Sequence, residues 1–426
     1  MNTKILGAAL LVCAAGLPTS TGAADLGGNC CADIEERVAE LEATTARKGN
    51  RKVSLAITGW VGEQITVWDD GHESNTYVGG LGSTLSSHFK LTGKAQIMPG
   101  WSAGYVMHIE AISAEQAELS QTNDDGRNSV NALQSYWYLE SERLGKMSVG
   151  LVSQASDNTA ILVDGSGSQV PANWVLPFDT GGFRFRNANG TLSGLGWADV
   201  TTCGHIGASV GGDCNGVPLN AVRYDTPTFA GFSASVSWGE DDFWDVAARY
   251  SGELAGFKMA VAAAYSQFTD ETGRGGRRDV QGRLDSDYFQ VGAYLQHVQT
   301  GLWAYGAYGH EDNSFTYVGG FRAPDEDIYY VKAGIRRPWT PLGHTVLYGE
   351  YGNYEDQLSA AALGAGITAS EVEHWGLGIV QEIDAAAMSI WLKYRHAEAD
   401  LTGAAPALTN SPEDIDFVSL GALVNF

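Results

Sequence analysis

From Lys52 to the end of the chain, apolar and polar residues exchange places at every second position. In "SSHFKLTGKAQI", Phe89, Leu91, Gly93, Ala95 and Ile97 fall on one face, and His88, Lys90, Thr92, Lys94 and Gln96 on the other. The following "WSAGYVMHIEA" sets Trp101, Tyr105, Met107 and Ile109 against His108 and Glu110. A period of two is the signature of a strand with one apolar and one wetter face, and the "MPGW" between the two stretches supplies a tight turn. "FSASVSW" places Phe232, Ala234, Val236 and Trp238 opposite three serines. "FWDVAARYS", "FKMAVAAAYSQF", "IYYVKAGIRR", "EHWGLGIVQEI" and "MSIWLKYRH" alternate likewise. So does the final "DFVSLGALVNF", with Val418, Leu420, Ala422, Val424 and Phe426 on one face.

The connections alternate in length as well. Short links fall near 98–101, 141–145, 226–231, 251–256, 298–301, 338–343 and 384–387. Between them lie mostly longer segments, near 69–75, 113–130, 154–219, 239–243, 268–284, 311–325, 355–370 and 398–412. Seven short turns and eight outer loops join sixteen strands. An even strand number with short turns on one rim and long loops on the other predicts an all-β, antiparallel transmembrane barrel. Closure also removes the exposed edges that an open sheet must blunt. A soluble sandwich alternates too, but three features favour the barrel: small and charged residues share the polar face, aromatics recur near strand ends, and loop lengths alternate.

Residues before the barrel read differently. "MNTKILGAALLVCAAGLPTSTGAAD" carries one Lys, an apolar run and small residues before Asp25, the form of an export signal over residues 1–23. The run is shorter than the roughly 20 residues a membrane helix needs. Residues 24–50 have a helical period: Ile34, Val38 and Leu41 are spaced 4 and 3 apart along "CADIEERVAELEATTARKG", a narrow seam. It fits a short coiled coil between copies; a lone amphipathic helix against the barrel end is the other reading. The barrel domain then covers residues 51–426.

Composition sharpens this picture. The chain has 54 Gly and 44 aromatics (18 Tyr, 14 Phe, 12 Trp), but only 11 Pro. That suits a large β-structure with interfacial rings. Losing Lys4, the one charge in residues 1–23, takes the net charge from -24 to -25. Such acidity speaks against nucleic acid as a partner. Four cysteines remain after export. Cys203 and Cys214 close the short Gly-rich "CGHIGASVGGDC" and are expected to form a disulfide in an oxidising compartment. His205 and Asp213 lie between them, but the spacing matches no common zinc pattern. Cys30 and Cys31 are adjacent, which leaves bridges between subunits and free thiols both open.

Signal segment, "GNCCADIEERVAELEATTARKGNRKVSLAITGW", "SSHFKLTGKAQIMPGWSAGYVMHIEA" and the terminal "FVSLGALVNF" together resemble the alphaproteobacterial porins of the rhizobial type. The resemblance implies a trimeric, sixteen-stranded barrel in the Gram-negative outer membrane, with an inward-folded third loop, passing ions and small hydrophilic solutes. It also implies that Phe426 is read by the outer-membrane assembly machinery. Lipids and lipopolysaccharide are then the expected surroundings, and "GRGGRRD" at 273–279 is either a phosphate contact or a solvated loop.

The candidate chemistry follows from this plan. Residues 154–219 form the longest interstrand segment, between the fifth and sixth strands, and loops of that length are usually functional. They carry Asp157, Asp164 and Asp179, then Arg184 and Arg186. The inward wall supplies Lys90, Lys94, Arg223, Arg249, Lys258, Lys332, Lys393 and Arg395. Loop acids facing wall bases across water would set up a transverse field in a constriction. Acids at the mouth, including "GEDDFWD" at 239–245, suggest a modest cation preference. There is no G-x-S-x-G elbow, phosphate loop or H-E-x-x-H, so no catalytic residue, cofactor or metal is assigned. A substrate-specific channel, a barrel enzyme and a surface adhesin are the competing readings.

Overall fold

The computed structural model describes residues 52–426, apart from 205–211, 213, 240–241, 272–279, 282 and 404–407. The export segment, the Ile34–Val38–Leu41 seam, Cys30, Cys31 and all of "GRGGRRD" therefore lie outside the described residues.

The chain opens with β1 (Ser54–Asp69), β2 (Ser74–Gly79), β3 (His88–Met98), β4 (Trp101–Ile112), β5 (Ser129–Ser141) and β6 (Gly145–Val152). The long segment that follows contains the small hairpin β7 (Arg184–Arg186) and β8 (Leu192–Gly196). The wall resumes with β9 (Leu219–Asp225), β10 (Phe232–Gly239), β11 (Asp242–Leu254), β12 (Phe257–Glu271) and β13 (Leu284–His297). It continues with β14 (Leu302–Asn313), β15 (Glu326–Thr340), β16 (Gly343–Glu355), β17 (Ala369–Ile383), β18 (Met388–Thr402) and β19 (Ile415–Asn425). Each wall strand is antiparallel to the next, and β19 returns to β1 from Trp60↔Asn425 to Asp69↔Asp416. The sheet is thus a closed barrel.

Its seventeen strand segments occupy sixteen positions. β2 pairs with Gln64–Asp69 of β1, while β3 pairs with Ser54–Trp60 of the same strand. The second barrel strand is therefore one strand interrupted by residues 80–87, whose Leu81 is buried with Trp68 and Tyr77. This inward detour is why residues 69–86 show no clean alternation of faces.

Alternation places the apolar side chains outside. Ile57, Val61, Ile65, Met107, Val236, Val261, Leu347, Leu377, Leu392 and Leu420 are all exposed, as a lipid-facing band must be. Toward the long-loop rim the band ends in a girdle of Trp244, Tyr265, Phe289, Tyr308, Tyr329, Tyr351, Trp375 and Tyr394, in which direct cross-strand pairs (Tyr265 with Phe289, Tyr308 with Tyr329, Tyr351 with Trp375) alternate with diagonal neighbours. The inward face is polar along β10–β13, with Ser235, Ser237, Asp245, Ser266, Ser286 and Gln290. From β13 to β19 it also carries large buried side chains: Tyr288, Trp303, Tyr305, Tyr330, Tyr354, Trp391 and Phe417. Those rings face the inner loop rather than water.

The seam depends on Gly59. Its N–H donates to the carbonyl of Phe426 at 3.1 Å, and its carbonyl accepts from the Phe426 N–H at 3.0 Å. On its other side it faces Phe89, beside the point where β3 resumes. A Cβ there would sit 2.1 Å from the His88 carbonyl oxygen. Gly59→Ala is expected to destabilise the barrel by roughly 1–3 kcal/mol through this backbone clash. Conversion from the folded to the unfolded band in detergent gels should then occur at a lower temperature. Gly349→Ala, where the nearest atom is 3.8 Å away, should leave the transition unchanged.

Candidate functional site

The described part of residues 153–218 folds inside the barrel and packs against its wall. A loop with so little secondary structure leaves many backbone groups without partners, and wall side chains supply them. Ala155 N–H donates to Ser237 Oγ at 2.7 Å, and Ser156 N–H to Asp245 Oδ2 at 2.7 Å. Gln290 accepts from Ala160 N–H at 2.8 Å and donates to Ser156 O at 2.9 Å. Further along, Tyr305, Tyr354 and Tyr288 donate to the carbonyls of Ala160, Trp174 and Gly212 at 2.7–2.8 Å. Arg249 donates to Ala155 O at 2.6 Å and Arg223 to Ser153 O at 2.8 Å. The short helix Pro177–Thr180 follows Trp174, Val175 and Leu176, which are buried against the wall.

That packing brings the loop acids into contact with the wall bases. Asp164 meets Lys332 at 2.6 Å, with both side chains fully buried or nearly so. Lys332 also donates to Ala172 O at 2.8 Å. Asp179 receives Lys393 at 2.8 Å and Arg395 at 2.9 Å. Arg395 also reaches Glu350 at 2.9 Å, and Tyr330 donates to Glu350 at 2.5 Å. Burial alone would raise the Asp179 carboxyl, but Lys393 and Arg395 outweigh it and hold it below its ordinary value. Asp157 is different. Burial pushes it up to about 6, against the opposing pull of Ser153 and Arg223.

The expected picture of acids and bases separated by water therefore changes. Asp164 and Asp179 touch Lys332, Lys393 and Arg395 as buried pairs, because burying the charges demands direct partners. Arg186 likewise closes on Asp70 at 2.7 Å and on Glu73, tying the β7–β8 hairpin to the first outer loop. Arg184 is exposed beside it, held through its backbone by Gln121. Lys94 pairs with Glu140 at 2.6 Å near the short-turn rim. Lys90 is partly buried and Lys258 exposed, and neither forms an ion pair among the described residues.

Cys203 and Cys214 form a disulfide across a separation of 11 residues, fully buried beside Gln357. Asp245, read from the sequence as a mouth acid, is instead fully buried and holds Ser156 of the loop, while sequence reasoning missed Gln290, Glu350 and the inward tyrosines. Parity alone puts each on the inner face, but nothing in the sequence says which inner positions meet the loop.

The chain can now be set beside known proteins. A family model described as Gram-negative porin matches residues 8–400. No curated protein matches the chain in sequence. Among solved structures, the anion-selective porin from Comamonas acidovorans is similar at 16% identity and a TM-score of 0.54, covering 88% of this chain and 100% of that one. Salmonella typhi OmpF, in complex with daunomycin, is similar at 13% identity and a TM-score of 0.52, over 89% of this chain and 99% of that one. The outer-membrane OmpT of Vibrio cholerae gives 10% identity and 0.52 over the same shares. At these identities the structures speak for the barrel, while the family model reaches the sequence itself. The chain belongs to the Gram-negative porin family, as an integral outer-membrane β-barrel channel for passive diffusion of ions and small hydrophilic solutes.

Proposed function

We propose that solutes pass beside a fixed inner loop, which narrows the lumen and sieves them by size. The observation that carries this reading is the buried network of Asp179, Lys393, Arg395 and Glu350, which pins the inner loop to the wall at Asp179. The loop acids are spent on their partners. Among the candidate charges, Lys90, Arg184 and Lys258 are then left to the lumen, with exposed outer-loop acids such as Asp124 and Asp125 at the mouth. We therefore assign a weak cation preference set at the mouth and screened by salt.

The protein acts as a homotrimer in this reading. β1 pairs with β2 only from Gln64 and with β3 only up to Trp60, so Val61–Glu63 have a gap on that side. Glu63 lies at mid-strand on the outward parity, beside Ser87 and Gly80. Ser87 Oγ meets the Gly62 N–H and carbonyl in that gap, at 3.1 and 3.2 Å, but a carboxylate remains costly against hydrocarbon, and a second copy of the chain would cover it. One similar Vibrio cholerae structure is described as a trimer form. Residues 1–23 as export signal, 24–50 as a self-associating helix and Phe426 as an assembly signal complete the proposal. The stretch preceding the barrel supports a place among the rhizobial-type porins.

Planar-bilayer recording is the test. Stable openings should arrive in threes and scale with bulk salt, with reversal potentials displaced slightly toward cations at low salt. Lys258→Glu should increase that displacement, and Asp164→Asn should leave it nearly unchanged. Silent membranes from folded protein would overturn the reading. Asp179→Asn leaves buried Lys393 without its counter-ion and Arg395 with Glu350 alone, a loss of about 3–5 kcal/mol; its openings should be noisier and its unfolding transition lower.

Acid should release the hairpin end of the loop. Burial would raise Asp70, but the N–H groups of Glu73 and His72, together with Gln121 and Arg186, outweigh it and hold its carboxyl below the ordinary value of 3.8. A depressed carboxyl stabilises fully above its unfolded pKa, and the contribution is lost as pH falls through the folded one. The Asp70-dependent part of the current noise should therefore be flat from neutral pH to about 5 and rise below about 4. Asp70→Asn should be noisier at neutral pH and lose that component of acid dependence.

A further inference from the structure

Outside the barrel, at the long-loop end of the aromatic girdle, β18 and β19 bring together Tyr394, His396, Glu398, Asp414 and Asp416. His396 is the cross-strand partner of Asp416, and its Nδ1 lies 2.9 Å from Asp416 Oδ1. The Tyr394 hydroxyl donates to the same oxygen at 2.6 Å. An ionised carboxylate only accepts, so Nδ1 is the donating nitrogen. In the neutral imidazole that leaves the Nε2 lone pair on the far side of the ring, facing Asp414.

Asp414 Oδ2 is 3.7 Å from Nε2, too far for a hydrogen bond. Two ligands of one tetrahedral ion, with bonds near 2.1 Å, stand about 3.4 Å apart. One ligand atom each from His396, Glu398 and Asp414 lies within 4.8 Å of the others. A histidine whose second nitrogen is fixed by a carboxylate is how proteins orient metal-binding imidazoles. The carboxylates are also short of counter-charge: Glu398 stands opposite Glu373 in the next strand. Among the described residues, His396 is the sole basic side chain paired with Asp414 and Asp416.

We propose that His396 Nε2, Glu398 and Asp414 bind a divalent cation of the Zn2+ class, with Asp416 and Tyr394 as positioning residues. Nitrogen beside two carboxylates suits such ions, whereas Ca2+ and Mg2+ are taken by oxygen donors alone. The ion staples β18 to the foot of the last outer loop, beside Trp375, whose ring packs against both Tyr394 and His396. Two β-hairpins away, the orienting half recurs without the third ligand. Tyr308 and His310 both bond Asp327 Oδ1, at 2.7 and 2.9 Å, and His310 Nε2 faces Asp312 at 3.5 Å.

The test is zinc titration of the folded, chelator-stripped full-length protein, with each variant first checked for its folded mobility in detergent gels. Wild type should hold one more zinc per chain than His396→Ala or, should that fail to fold, His396→Gln. Asp414→Asn and Glu398→Gln should weaken the site, and Asp416→Asn should weaken it about 10–100-fold while removing no ligand. His310→Ala should change nothing, and zinc should raise the unfolding temperature of wild type but not of His396→Ala. Equal zinc in wild type and both His396 variants would overturn the proposal, as would displacement by equimolar Ca2+, which marks an unspecific acidic patch.

Discussion

One guanidinium organises the interior. Arg395 projects from β18 between Asp179 of the inner loop and Glu350 of β16, with Lys393 on the far side of Asp179. Two acids and two bases make a neutral set, and Asn173 O takes a further Arg395 N–H at 3.2 Å. Buried pairs of this kind add little net stability compared with well-packed apolar groups, because desolvation offsets the Coulomb gain. What they do is penalise misplacement: a shift that separates Asp179 from its partners leaves buried charges uncompensated. The loop is thereby held at one position along the wall, which a solely apolar contact would define less sharply.

The rest of the inner surface follows from that fixed position. Once the loop is docked, its backbone needs partners, and Ser237, Asp245, Gln290, Tyr305 and Tyr354 provide them. Between these polar points the same wall presents Trp303, Tyr348, Trp391 and Phe417 to Trp174, Leu176 and Phe183. The barrel thus has two apolar surfaces of different kinds. Outside is a lipid-facing band; inside is a packed core shared with the loop, with the Cys203–Cys214 disulfide within it.

The strand plan was legible because it rests on local rules. Alternation and turn chemistry located all sixteen wall positions, the seven short links and the long segment, and "CGHIGASVGGDC" announced its bridge. The inner site was legible only as a roster. Asp164, Asp179, Lys332, Lys393 and Arg395 could be placed on loop and inner wall, but not paired. Tyr329 and Tyr330 show the difficulty: adjacent in "IYYVK", one belongs to the outer girdle and the other donates to Glu350. A polar inner parity means water in one sector and loop in another, and no local pattern distinguishes them. The detour at 80–87 was hidden for a related reason, since the pairing of β1 with its neighbour lapses only at Val61–Glu63 and resumes on both sides.

Sequence distance also constrains when the constriction can exist. Asp164 and Lys332 are 168 residues apart, Asp179 and Lys393 are 214, and Asp179 and Arg395 are 216. None of these bonds can form until β15 and β18 stand beside the loop. β18 in turn is held by β17 on one side and by β19 on the other, whose far edge meets β1. The aperture therefore depends on the last hairpin and the Gly59–Phe426 seam as much as on the loop. A lesion at that seam, far from any lumen charge, acts on the constriction by loosening the strand that carries Lys393 and Arg395.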